Sequence, residues 1–208
     1  MKKELEKRSY ICEVRAEEQE RGHIITGRPI VFGSITDLGY FDEVIDAGAL
    51  DATDLSDVRF LVNHDTSRIP LARSRRNNGN STMQLTQDAE GLRIEAILDT
   101  ENNAEARSLW SAVQRGDISG MSFMFSIDRD EWENLNSEHP LRRIKAVSSV
   151  VEVSACTFPA YNATEINARS KEALESARSA VETARRQQAE EVETSLEIAR
   201  LRAKIKMI

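Results

Sequence analysis

The chain has 208 residues, 30% of them charged and 5% aromatic, with a formal net charge of -7. That length buries a core without disulfide or metal staples, and nothing in the acidic balance suggests general nucleic-acid affinity. No apolar run approaches the ~20 residues of a membrane helix, and Met1-Lys2-Lys3-Glu4-Leu5-Glu6-Lys7 lacks the apolar centre of a signal peptide.

In chain order, short apolar segments separated by turn residues fill the first three quarters. Arg8 to Val14 reads as a strand, and Gly22 to Phe32 as a second one, interrupted at Pro29 by a bulge or an edge. Phe41 to Ile45 is a short apolar element, followed by Ala47-Gly48-Ala49-Leu50 and a capped helix or turn at Asp51 to Asp54. Val58 to Val62 is a buried strand by its β-branched, apolar run. Leu71 to Ser74, Thr82 to Thr86 and Leu92 to Leu98 are further strands, with turns at Asn77 to Asn80 and Asp88 to Gly91.

Ala104 to Arg115 has the spacing of a helix, with Leu109, Ala112 and Val113 as its apolar stripe and Gly116 as its C-terminal glycine. Met121 to Asp128 and Leu141 to Thr157 are strands again, joined by a loop from Asn134 to Pro140. From Glu165 onward there is neither Gly nor Pro, and Leu174, Ala177, Val181, Ala184, Val192, Leu196, Ala199 and Leu201 recur at helical spacing. This predicts a long, charged amphipathic helix whose stripe is weakest around Gln187 to Glu191, a partner-seeking or frayed tail rather than a packed element.

Three groups with catalytic potential lie in three separate strand-like settings. Ser122 sits between Gly120 and the aromatic run Phe123-Met124-Phe125; His64 follows the Val58 to Val62 run; Glu152 lies within Val150-Val151-Glu152-Val153-Ser154. A serine hydroxyl needs a neighbouring base to become nucleophilic, and an acid to orient that base, so the set is the raw material of a serine hydrolase. Each has a plainer reading. Ser122 and Ser154 fit as small strand residues, His64 as a surface histidine, and Glu152 as an acid paired with Arg73 or Lys145, since a lone buried acid is costly. Asp65 and His139 compete for the third place, Ser119 for the nucleophile's, and His23 reads as a turn residue. Trp110 and Trp132 read as packing residues, and Arg73, Arg75 and Arg76 as a solvated basic turn. Cys12 and Cys156 are expected as buried free thiols in a reducing compartment, with a disulfide as the lesser reading; no Cys/His zinc spacing or Gly-rich phosphate loop occurs, so no metal or cofactor is expected.

Five blocks in order carry a resemblance. They are Phe41 to Leu50; Asp57 to Asp65; Asp88 to Leu92; Val113 to Phe123; and Val151 to Ser154 followed by Thr157-Phe158-Pro159-Ala160-Tyr161. Together, over Tyr10 to Ala163, the sequence resembles the prohead (capsid maturation) serine proteases of tailed double-stranded DNA bacteriophages. The resemblance implies an α+β fold like that of the herpesvirus capsid protease, a mainly antiparallel β-barrel flanked by helices. It implies His64 as general base, Ser122 as nucleophile and Glu152 as the orienting acid, with a protease domain over 1–163 and a helical tail over 164–208. Oxyanion donors are expected beyond Glu152 or around Arg142-Arg143. Met124 and Ala72 stand where family members often carry glycine.

The implied activity is an endopeptidase in the host bacterial cytoplasm, inside the immature capsid. Its partners would be the major capsid protein and scaffold as substrates, and further copies of itself, with no nucleic acid, membrane or cofactor. The tail would dock on scaffold or capsid protein, or be removed by self-processing. A catalytically inactive assembly module on the same fold is the competing class, separated by reaction with a serine-directed phosphonate. A different hydrolase, such as an esterase, would share that reaction and differ only in substrate; the Gly-x-Ser-x-Gly elbow of many esterases does not occur around Ser122.

Overall fold

The computed structural model describes residues 5–11, 14–157 and 171–205. The strands are β1 (Glu6–Ile11), β2 (Val14–Gln19), β3 (Gly22–Val31), β4 (Thr36–Asp37), β5 (Asp42–Ile45), β6 (Asp57–Val62), β7 (Ala72–Arg75), β8 (Met83–Asp88), β9 (Gly91–Leu98), β10 (Gly120–Glu133) and β11 (Leu141–Cys156). The helices are α1 (Ala104–Gln114), before β10, and α2 (Lys171–Ile205), after β11.

The strands form two sheets. One has the order β2-β3-β9-β8, all antiparallel. The other runs β1-β10-β11-β5-β4, with β6 also on β11 and β7 on β6. The fold is mixed α and β, mostly sheet with a C-terminal helix. Among the described residues no closed barrel forms: the larger sheet has β1 at one end and β4 at the other, and β11 takes both β5 and β6 in parallel. Closure into the expected β-barrel is not seen among the described residues, where two sheets share one core.

That core lies under the apolar faces of both sheets, with Ile25, Ile30, Ile94, Val58, Phe60, Phe123, Phe125 and Val153 all fully buried. From Gly120 to Ser126 every residue of β10 is buried, which explains why the segment is apolar or small throughout rather than alternating. Pro29 falls within the predicted irregularity. The β3–β9 register shifts between Gly27 and Ile30, and β2 stops pairing at Gly27, so its missing N–H breaks no ladder bond to β2. Gly91 is required where β9 starts: its φ is +147°, and a Cβ there would sit 2.0 Å from the Ile30 carbonyl oxygen.

Helix α1 matches its expected span. Asn103 caps it by accepting from the N–H groups of Glu105 and Ala106, and Ala106, Leu109 and Val113 face inward. Of the two readings of Asp51 to Asp54 the turn holds: Asp51 and Ala52 end a series of turns and Asp54 makes an isolated parallel bridge to Ser149 of β11. Arg8 to Val14 is not one strand: β1 and β2 belong to different sheets. His23 is not in a turn but in β3, where it meets Thr100 Oγ1 at 2.5 Å and stacks edge-on against Trp110.

The tail also departs from expectation. The first half of α2 is packed, with Ala177, Val181 and Ala184 buried, the first two against Phe41 alongside Leu38 and Trp132. Arg185 extends this dock by donating to the carbonyls of Leu135 and Ser137 in the β10–β11 loop, at 2.9 and 2.7 Å. Beyond it the stripe is unpartnered within the described residues, with Val192, Leu196, Leu201 and Ile205 each more than half exposed. No described helix is long and apolar enough to cross a membrane. Cys156 is buried, while Cys12 and the boundary near residue 163 lie outside the described residues.

Candidate active site

Strands β6, β10 and β11 bring His64, Ser122 and Glu152 together. β11 is the middle strand: Ser154 stands opposite Ser122 of β10 and Glu152 opposite Met124, while the same stretch of β11 pairs in parallel with Arg59 to Val62 of β6. Opposed residues share a face, so Ser122, Met124, Glu152 and Ser154 point to one side of the sheet. Met121, Phe123 and Val153 point to the core. The β10–β11 register then shifts between Met124 and Phe125, a bulge that bends the strand just past the serine.

His64 reaches this face because the chain turns sharply as β6 ends. Asn63 and His64 both have left-handed backbones, φ 50° and 60°, a conformation that costs a non-glycine residue about 1 kcal/mol or more. Several bonds hold it. Asn63 N–H donates to Ala155 O at 3.0 Å, and Asn63 Oδ1 accepts from the amide and hydroxyl of Thr157 at 3.0 and 3.1 Å. His64 N–H donates to Ser154 Oγ at 3.0 Å.

The imidazole lies between the other two groups. Its Nδ1 faces Glu152 Oε1 in a short hydrogen bond, and its Nε2 lies 2.5 Å from Ser122 Oγ. The second carboxylate oxygen, Oε2, accepts from the Ser154 hydroxyl at 2.7 Å. Glu152 is therefore satisfied by His64 and Ser154, not by Arg73 or Lys145, which bind Asp57 and Asp46 instead. Side-chain exposure falls from 13% at His64 to 3% at Glu152, and Ser122 is fully buried. In such a dry setting a fixed Nδ1 partner sets the tautomer and leaves Nε2 to accept a proton.

The rival residues are engaged elsewhere. Asp65 accepts from Ser67 and pairs with Arg68. His139 sits beside Asp42 and Asp37 at the far end of the sheet; these three are the described residues that come close enough to hold a metal, and all are at least partly exposed. Ser119 is exposed in the loop before β10. In the Arg142-Arg143 segment, where oxyanion donors are expected, both guanidiniums are held by carboxylates. Ser154, read from the sequence as strand filling, instead links the acid to the backbone of the histidine.

A second cluster adjoins the first. β1 lies along the outer edge of β10, with Ser9 opposite Ser122, and the Ser122 hydroxyl is 2.6 Å from the carbonyl oxygen of Arg8. The Arg8 guanidinium grips Glu43 of β5 with two nitrogens, at 2.5 and 2.8 Å, and lies over the ring of Phe125. Glu43 is 1% exposed. Arg142 joins the cluster, bonding Asp130 at 2.6 Å, Glu6 at 3.1 Å and Glu43 at 3.4 Å, over the face of Trp132. Burial alone would raise the Glu6 carboxyl, but Arg8 and Arg142 outweigh it and hold it below its ordinary value.

The chain is similar to proteins of phage head assembly. The chain is 30% identical over 103 residues to the prohead protease of Enterobacteria phage HK97, a match spanning 50% of this chain and 40% of that one. The solved bacteriophage T4 capsid assembly protease aligns with 76% of this chain and all of its own, at 9% identity and a TM-score of 0.45. The family model of the caudovirus prohead serine protease matches residues 11–178, a span that holds His64, Ser122 and Glu152. By that match the chain belongs to the caudovirus prohead serine protease family.

Proposed function

We propose that the protein is a serine endopeptidase of phage head maturation, with Ser122 as nucleophile, His64 as general base and Glu152 as the orienting acid. The observation that carries this is the continuous relay from Ser122 Oγ through His64 Nε2 and Nδ1 to Glu152, set on three paired strands and braced by Ser154. Ser122 Oγ attacks a peptide carbonyl carbon while its proton passes to His64 Nε2. The tetrahedral centre collapses, the C–N bond breaks, and the amine leaves with that proton. Water, deprotonated by His64, then attacks the acyl ester and frees the acid and Ser122. Throughout, the Glu152 charge stabilises the imidazolium, and no cofactor is required.

The substrates in this reading are scaffold, or the scaffolding segment of the major capsid protein, inside the immature capsid in the host bacterial cytoplasm. Residues 1–163 form the protease domain, with a fold akin to the herpesvirus capsid protease, and 164–208 the tail. The exposed stripe of α2 past Arg185 supports docking on scaffold, capsid protein or a second copy of the chain. A fluorophosphonate tests the chemistry. Intact mass should show one adduct, lost in Ser122→Ala; an adduct that survives this substitution contradicts the assignment.

A further inference from the structure

Ser122 is fully buried, and what covers the free edge of its strand is β1. β10 has β11 as its inner neighbour, so only its outer edge is open to an added peptide, and β1 fills that edge with antiparallel pairing from Gly120 to Phe125. A substrate that reaches Ser122 along this edge must take the place of β1. The segment also carries a substrate feature: a peptide group lies against the nucleophile, and its carbonyl oxygen, that of Arg8, accepts the Ser122 hydroxyl proton at 2.6 Å, so the docked strand holds that proton away from His64. The side chain of the same residue enters a pocket floored by the buried Glu43 and walled by Phe125.

We propose that β1 occupies the substrate groove, and that the site takes peptides with a basic residue where Arg8 lies and an acidic residue where Glu6 lies. This rests on Ser122 being the nucleophile. Removing β1 takes one positive and one negative charge, Arg8 and Glu6, out of this cluster, and leaves Glu43 and Asp130 facing Arg142 alone. Asp130 holds the Arg142 Nε at 2.6 Å, whereas Glu43 is 3.4 Å from Nη1, so the vacated pocket has an under-neutralised buried carboxylate. An arginine or lysine of the incoming peptide meets that need. An acidic residue two positions earlier points to the same side of the strand and meets Arg142 as Glu6 does, through both its oxygens at 3.1 Å. Glu43 and Arg142 are thereby specificity residues. The bond cut follows the basic residue: its carbonyl carbon is transferred to Ser122 Oγ, and the amine of the next residue leaves with the proton from His64.

The test uses the full chain and its Arg8→Ala variant, which loosens β1 without touching the triad side chains. Two rates are read: fluorophosphonate labelling of Ser122, and cleavage of the peptide Leu-Glu-Lys-Arg-Ser-Tyr-Ile beside versions with Gln for Arg or Gln for Glu. Arg8→Ala should label several-fold faster than the parent chain. It should cut the parent peptide after Arg at least about tenfold faster than the Gln-for-Arg version, as expected when a buried charge pair loses one partner. Placing Gln for Glu should slow cleavage to a lesser degree. Labelling at equal rates in the two chains overturns occupancy of the groove by β1. Labelling with no preference for a basic residue overturns the pocket assignment and leaves Ser122 standing as nucleophile. No labelling of either chain, both folded by thermal unfolding, overturns the nucleophile and the groove together.

Discussion

Ser154→Ala is the most informative small change near the site. The substitution deletes a single oxygen from a fully buried side chain, so packing is nearly kept. That oxygen makes two bonds: it donates to Glu152 Oε2 at 2.7 Å and accepts from the His64 N–H at 3.0 Å. The first is a bond to a charged group, worth about 1.5–3 kcal/mol, and the second a neutral one, worth about 1 kcal/mol. Their sum, about 3 kcal/mol, corresponds to a Tm lowered by roughly 6–12 °C for a chain of this size. The bond to His64 also helps hold a left-handed backbone in place, so the imidazole loses registration with Ser122. A misplacement near 1 Å costs about 100-fold in rate, and fluorophosphonate labelling of Ser122 should slow by about 10- to 100-fold. Differential scanning calorimetry and labelling kinetics are the two assays. A lowered Tm with unchanged labelling makes Ser154 merely structural; no change in either refutes the bracing role.

Three further outcomes follow from the same geometry. Glu152→Gln keeps the shape but places an amide against His64 Nδ1 and should slow labelling by about 10³–10⁴-fold, the scale on which a neutralised orienting acid acts. Val181→Ala should lower stability by about 1–2 kcal/mol because Val181 is packed against Phe41, Leu38 and Trp132, whereas Leu196→Ala on the exposed stripe should stay within about 0.5 kcal/mol by thermal unfolding. Docking of β1 should depend on acid. Glu6 faces Arg8 and Arg142, with Glu43 and Asp130 behind them, and its carboxyl is held below the ordinary 4.5. Its contribution is therefore full above that value and lost as pH falls through the lowered one, which hydrogen exchange over residues 6–11 should report as faster opening on acidification.

Much of this molecule is legible in the residues themselves. The Val58 to Val62 run predicts a strand with His64 just past its end, and Gly116 marks where α1 stops. Glu152 is conspicuous because an acid in an apolar strand needs a partner; which partner is a tertiary matter, and His64 lies 88 positions away. Ser154 is illegible for the same reason, since a serine in a strand gives no sign of the backbone it will meet. β1 and β2 merge in the sequence because nothing between Arg8 and Val14 breaks the pattern, yet the chain changes sheets there. Periodicity finds the stripe of α2 but not that its first half docks, because the partners, Phe41 just before β5 and Trp132 in β10, are distant in sequence. Closure of a sheet leaves no local mark, and neither does the parallel pairing of β5 and β6 on β11.

The most direct measurement is co-expression of the chain with its cognate major capsid protein and scaffold, wild type beside Ser122→Ala, read by intact mass. The predicted result is truncated capsid protein or scaffold with the wild type and full-length partners with Ser122→Ala, the variant remaining folded. Identical cleavage products in both, or full-length partners in both, contradict the proposal that Ser122 of this chain cuts proteins of the phage head.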